Sequence, residues 1–160
     1  MNTEDRIAAQ NVLSFLCKGA KVEGLHFYGL KLLLSNNEKN EEHIDGQIYI
    51  NIESETRFSI FHSKPEHPPL FDELPKLDWI ESSKRICELR LKEIVDVSLD
   101  KESPHLLLTF RTGEVLFIWG RHELYETWQV GVEGSSDTNK HWEVIACPND
   151  ELAVFAPEDV

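Results

Sequence analysis

EIVDVSLD (93–100), LLLTFRTGEVLFIW (106–119) and YETWQVGV (125–132) decide the architecture of this 160-residue chain. In the first stretch Val95, Val97 and Leu99 alternate with Asp96, Ser98 and Asp100, the period-two pattern of a half-buried strand. Lys101–Pro104 interrupts it, and Leu106, Leu108 and Phe110 then alternate with Leu107, Thr109 and Arg111. Thr112-Gly113 supplies a tight turn, because Gly accepts the positive φ that such a turn demands. Val115–Trp119 is apolar on both faces, which predicts a central strand covered on both sides, by a helix on one of them. Tyr125–Val132 places Trp128, Val130 and Val132 on one face, with Glu126, Thr127 and Gln129 among its polar positions. The expected unit is an antiparallel meander of Glu93–Leu99, His105–Arg111, Glu114–Trp119 and Tyr125–Val132.

Working outward, Gln47–Glu53 is the cleanest strand, with Ile48, Ile50 and Ile52 on one face and Tyr49, Asn51 and Glu53 on the other. Arg57–Phe61 is its expected partner. Leu25–Ser35 reads as a strand pair or one long strand interrupted at Gly29. Thr3–Lys18 reads as a helix capped by Asn2 or Thr3, with Ala8, Ala9, Val12, Leu13, Phe15 and Leu16 in an apolar stripe and Gly19 at its stop. Asn36–Gly46 is a polar, acidic loop expected to be mobile at its tip. His62–Pro75 holds four of the seven prolines and is expected to wrap the surface, pinned by Leu70, Phe71 and Leu74. Arg85–Ile94 reads as a strand from the alternation of Cys87, Leu89 and Leu91. After the loop Glu133–Lys140 come a strand at Trp142–Cys147, a turn at Pro148-Asn149-Asp150 and a last strand at Leu152–Phe155. The whole is an α+β fold, mainly antiparallel β-sheet of about nine strands with one N-terminal helix packed on it. It reads as a single domain over 1–160, built from a helix (1–19), first strands (20–61), a Pro-rich wrapping segment (62–81) and a C-terminal meander (86–156).

Acidic residues number 29 against 16 basic, a formal charge of −13. Such a surface repels phosphate backbones and anionic membranes and attracts basic partners, so neither nucleic acid nor membrane is an expected partner. Cys17, Cys87 and Cys147 are widely spaced and form no disulfide framework or metal motif. A polar start at Met1–Arg6 and the lack of a spanning apolar run make the cytoplasm the expected compartment.

Motifs for catalysis are sparse. His62 and His67 flank Glu66, but their i, i+5 spacing in a Pro-rich loop matches no standard metal site; His26, His105, His122 and His141 stand alone. Cys147 precedes Pro148 without a recognised nucleophile signature around it. No cofactor motif is present. Acidic clustering is the remaining signal. Glu38, Glu41, Glu42 and Asp45 form one group, extended by Glu53 and Glu55; Asp72, Glu73, Asp78 and Glu81 form another around Trp79. These carboxylates, with Trp79 or Phe71 as aromatic anchor, are the candidate surface for a basic protein.

LLLTFRTGEVLFI, YETWQV and WEVIACPNDELAVFAP, within Val95–Pro157, resemble small bacterial domains found beside polymorphic toxins and suspected of being their immunity proteins. That resemblance implies a non-enzymatic protein that neutralises a basic toxin, and it carries over no binding residues. Two alternatives stay open: a structural or adaptor domain whose charge serves solubility, and a small hydrolase using Cys147 or a carboxylate pair.

Overall fold

Among the described residues, ten strands in two antiparallel sheets and two α-helices make up the fold. The computed structural model describes residues 1–137 and 140–158, so Thr138 and Asn139 of the expected loop Glu133–Lys140 lie outside the described residues. Helix α1 (Thr3–Cys17) is followed by β1 (Val22–His26), β2 (Leu30–Leu34), β3 (Gln47–Ile52) and β4 (Phe58–Phe61). Helix α2 (Trp79–Cys87) precedes β5 (Ile94–Leu99), β6 (Leu106–Phe110), β7 (Val115–Ile118), β8 (Trp128–Glu133), β9 (Glu143–Cys147) and β10 (Glu151–Phe155). The larger sheet runs β1-β2-β3-β8-β9-β10 and the smaller β4-β7-β6-β5.

Period-two patterning explains the core. Leu32, Ile50, Val130 and Val144 stand in register across the larger sheet and face Leu106, Leu108, Leu116 and Ile118 of the smaller one within a single buried cluster. Helix α1 bridges the two sheets, packing on β5, β9 and β10. Its stripe is buried at Ala9, Val12, Leu13, Leu16 and Cys17, and the Asn2 side chain caps it by accepting from the Glu4 and Asp5 N–H groups. Burial pushes the Cys17 thiol up to about 12. α1 also closes the free edge of β5. Gln10 donates to the Val97 carbonyl (2.7 Å) and accepts from the Leu99 N–H (3.1 Å), while Arg6 donates to the Leu99 carbonyl (3.0 Å). Side chains thus occupy bonds that another strand would otherwise take.

Five expectations need correction. The meander is divided: β5, β6 and β7 follow one another, but β8 crosses to the larger sheet between β3 and β9. The turn away is fixed at Pro104-His105. Gly120 donates to His105 Nδ1 (2.9 Å) and lies so close to the Pro104 carbonyl that a Cβ would stand 1.9 Å from it. The Trp128 indole donates to that same carbonyl at 2.7 Å. Arg57–Phe61 likewise does not pair with Gln47–Glu53; β4 pairs with β7, and the crossing is held by the Thr56 hydroxyl on the Trp119 carbonyl (2.7 Å).

The third correction concerns Arg85–Ile94, which is helix and turn as far as Leu91 and enters a strand only at Ile94. Asp78 caps α2 by accepting from the Glu81 N–H (2.8 Å), and helix then turn carry the chain to Leu91. Of the alternating trio only Leu89 is buried; Cys87 and Leu91 are exposed, and Leu91 has a φ of 65°. Fourth, the loop Asn36–Gly46 is anchored. Asn40, fully buried, donates to the Phe15 carbonyl (2.9 Å), Asn37 to that of Lys18 (2.8 Å), and Ile44 joins the core. These amides satisfy carbonyls at the end of α1 that no basic side chain reaches. Fifth, β7 is buried on both faces as expected, but α1 packs on β5, β9 and β10. The outward Phe117 meets the His105 ring. Arg57 ties down the Pro-rich segment by donating to the Phe71 and Leu74 carbonyls. Leu74 pins that segment as expected, whereas Leu70 is exposed.

Candidate functional site

The outward face of the larger sheet carries an open groove of about 930 Å³. Strand register builds its floor. Lys31, Asn51, Gln129 and Ile145 stand in one cross-strand row, and Leu33, Tyr49, Gly131 and Glu143 in the next. The polar positions of the first row hold one another: Asn51 Nδ2 donates to Gln129 Oε1 (2.7 Å) and to Glu53 Oε1 (3.0 Å), and Gln129 Nε2 donates to Glu126 Oε1 (2.8 Å).

Tyr49 crosses the neighbouring strand to donate its hydroxyl to Glu143 (2.8 Å). Gly131 makes the crossing possible, since a Cβ there would lie 3.1 Å from that hydroxyl and 2.6 Å from the Trp142 carbonyl. Burial first, and then the bond to Glu143, hold the Tyr49 phenol above its ordinary range. Lys31 sits over the Tyr49 ring at 4.7 Å and pairs with Glu133 at 2.9 Å.

The walls come from irregular chain. Glu53 and Glu55 enter from the β3–β4 connection, Phe71 and Lys76 from the Pro-rich segment, and Trp79 from the first turn of α2. Arg57 lies over the Phe71 ring at 4.1 Å, and Phe71 meets Trp119 at 5.4 Å. At the lip, Tyr28 is 88% exposed and Trp79 53%, and Phe27 touches Trp79 with ring centroids 5.9 Å apart. With Ile80 they form an exposed apolar patch beside carboxylates.

The expected docking residues divide between places. Glu53, Glu55 and Trp79 line the groove. Asp72 and Glu73 follow Phe71 in a short 3₁₀ turn, where Glu73 accepts from the Leu70 N–H. Asp78 is committed to capping α2, and Glu81 pairs with Arg85 at 3.8 Å. Glu38 and Glu41 belong elsewhere, to a second hollow of about 920 Å³ shared with Lys18, Lys21, Lys39 and Arg111. Asp45 binds Ser135 and Ser136, and the hydrogen bonds from Ser136 hold its carboxyl below the ordinary range. Glu42 is an exposed turn residue. The acidic groups are therefore not one surface, and the cations among Glu38 and Glu41 dilute that end.

Comparison of the chain with family models, curated proteins and solved structures found no match. The site therefore rests on its own geometry. Sequence reasoning missed Lys31, Tyr49, Asn51, Glu126, Gln129 and Glu143 as members of it. Gly131 in mid-strand was the available signal, since such a glycine marks a close approach across a sheet.

Cys147 is half-buried on β9. Desolvation, then the nearby Glu126 charge, push its thiol upward, away from the thiolate that a nucleophile needs. Its Sγ donates to the Ile145 carbonyl at 3.7 Å. Among the described residues no group of three or more His, Cys, Asp and Glu side chains is placed to hold a metal, and no helix is long and apolar enough to cross a membrane.

Proposed function

We propose that this protein is a non-enzymatic binding module, of the immunity type, that captures a basic segment of a partner protein in the groove of the larger sheet. The observation that carries the reading is an exposed aromatic lip, Tyr28 and Trp79, standing beside carboxylates whose hydrogen bonds go to amides rather than cations. Lys31 is committed to Glu133 and Arg57 to two backbone carbonyls, and Glu53, Glu55 and Glu126 outnumber the one other lining cation among the described residues, Lys76. Carboxylates steer a basic partner and fix its register, while a large aromatic side chain supplies the buried anchor once water is excluded. The Cys147 thiol, held toward its protonated form, counts against a Cys147 nucleophile. A cytoplasmic setting, where thiols stay reduced, accords with three free cysteines.

The test is binding of the full chain to a toxin-like protein encoded beside it, measured calorimetrically across salt concentrations. The expected result is nanomolar affinity that weakens as salt rises, and a loss of about tenfold or more in Trp79→Ala. Absent or salt-independent binding overturns the reading.

A further inference from the structure

Hydrogen-bond polarity at the groove floor narrows the chemistry of what it receives, granted the docking reading above. Both Asn51 Nδ2 hydrogens are consumed, one by Glu53 and one by Gln129, and one Gln129 hydrogen is consumed by Glu126. With the Lys31 ammonium paired to Glu133, what remains around Asn51 and Gln129 is mainly acceptor: Asn51 Oδ1 and the second oxygens of Glu53 and Glu126. Asn51 Oδ1 faces the Gly29 turn, 3.7 Å from where a Cβ on that glycine would be. The ligand must therefore bring donors and positive charge.

The lip restricts it further. Tyr28 and Trp79 bring exposed aromatic rings to the groove lining, which favours a flat cation able to stack. A guanidinium combines five N–H donors in one plane with a stacking face; an ammonium has three donors and no face. The groove wall already shows this mode, because Arg57 lies on Phe71 while donating to two carbonyl acceptors.

We infer that the groove is an arginine-reading site: a partner's arginine side chain enters between Tyr28 and Trp79 and donates to Asn51, Glu53 and Glu126. A lysine in its place offers its donors from a single point rather than a planar fork and gives the aromatic rings no stacking partner.

The full chain, ¹⁵N-labelled, is titrated at physiological salt with acetylated, amidated tri-arginine and tri-lysine peptides. Side-chain signals of Asn51, Gln129 and the Trp79 indole are followed. The expected result is saturable shifts at those three signals, with tri-arginine binding about fivefold or more tighter than tri-lysine. E53Q/E126Q weakens tri-arginine by about tenfold and removes the preference, with thermal melting checked against the parent chain. Should that double variant fail to fold, Trp79→Ala takes its place, with the same expected loss of preference. Equal affinity for the two peptides, both at the groove, overturns arginine reading and leaves the docking reading standing. Shifts confined to the Glu38 and Glu41 hollow, or no saturable shift at all, overturn both.

Discussion

On the outward face of the smaller sheet, Val115 and Phe117 are shut away from water, with the His105 ring against Phe117. On the outward face of the larger sheet, Tyr49, Asn51 and Gln129 hold one another at the floor of an open groove. Both are faces of antiparallel strands, and both sheets share the same apolar core. The difference lies in what the outward positions carry. Apolar residues on both faces of β7 require a second cover, part of which is the His105 ring against Phe117. Polar residues on the outward face of β3 and β8 need only each other and solvent, so no segment is drawn over them and a recess stays open. A covered face contributes to stability; an open one with ordered acceptors and an aromatic lip is available for recognition.

The largest test of this contrast is Phe117→Ala. Its side chain is fully buried outside the main core, so truncation should cost about 3–5 kcal/mol in denaturant unfolding. A loss below about 1 kcal/mol would mean that the outer cover is loose and the two faces are not so different.

Next comes pH. His105 is 5% exposed, its Nδ1 accepts from Gly120, and burial pushes its pKa down from 6.5 to about 4. Below about 6.5 the unfolded chain takes up a proton that the folded chain refuses. Stability attributable to this group is therefore present above pH 6.5 and is lost as pH falls toward 4, by on the order of 3 kcal/mol. Urea midpoints at pH 7 and pH 4.5, compared between the parent chain and His105→Asn, isolate that contribution. An unchanged slope in the variant would assign the pH dependence to other groups.

The smallest effect is expected on the open face. Trp79→Ala should shift stability by no more than about 0.5–1 kcal/mol, because half of the ring faces water, while it removes most of the affinity for a basic partner. A large loss of stability would make Trp79 a packing residue and blunt the contrast between the faces.

Alternation of apolar and polar residues by itself determined much of this protein. The helix at Thr3–Cys17, the inward set Ile48, Ile50 and Ile52, the turn at Thr112-Gly113 and the doubly buried β7 all follow from residue spacing and local turn chemistry. These are local rules, and each strand obeys them whichever neighbour it takes. Tertiary structure alone decided the partners. A residue pattern says that a strand needs a buried face but not which sheet provides it, so the crossing of β8 at Pro104, His105 and Gly120 and the exile of β4 from β3 were not legible. α2 was misread because Cys87, Leu89 and Leu91 span too few residues to separate a period of two from one of 3.6. The groove was hidden for the same reason as the pairing. Asn51, Gln129, Glu126 and Glu143 are distant in sequence and become neighbours only through cross-strand register, and Gly131 matters only once Tyr49 lies across it. Spacing along a chain fixes which way side chains point; convergence of side chains from separate strands is fixed by which strands lie side by side.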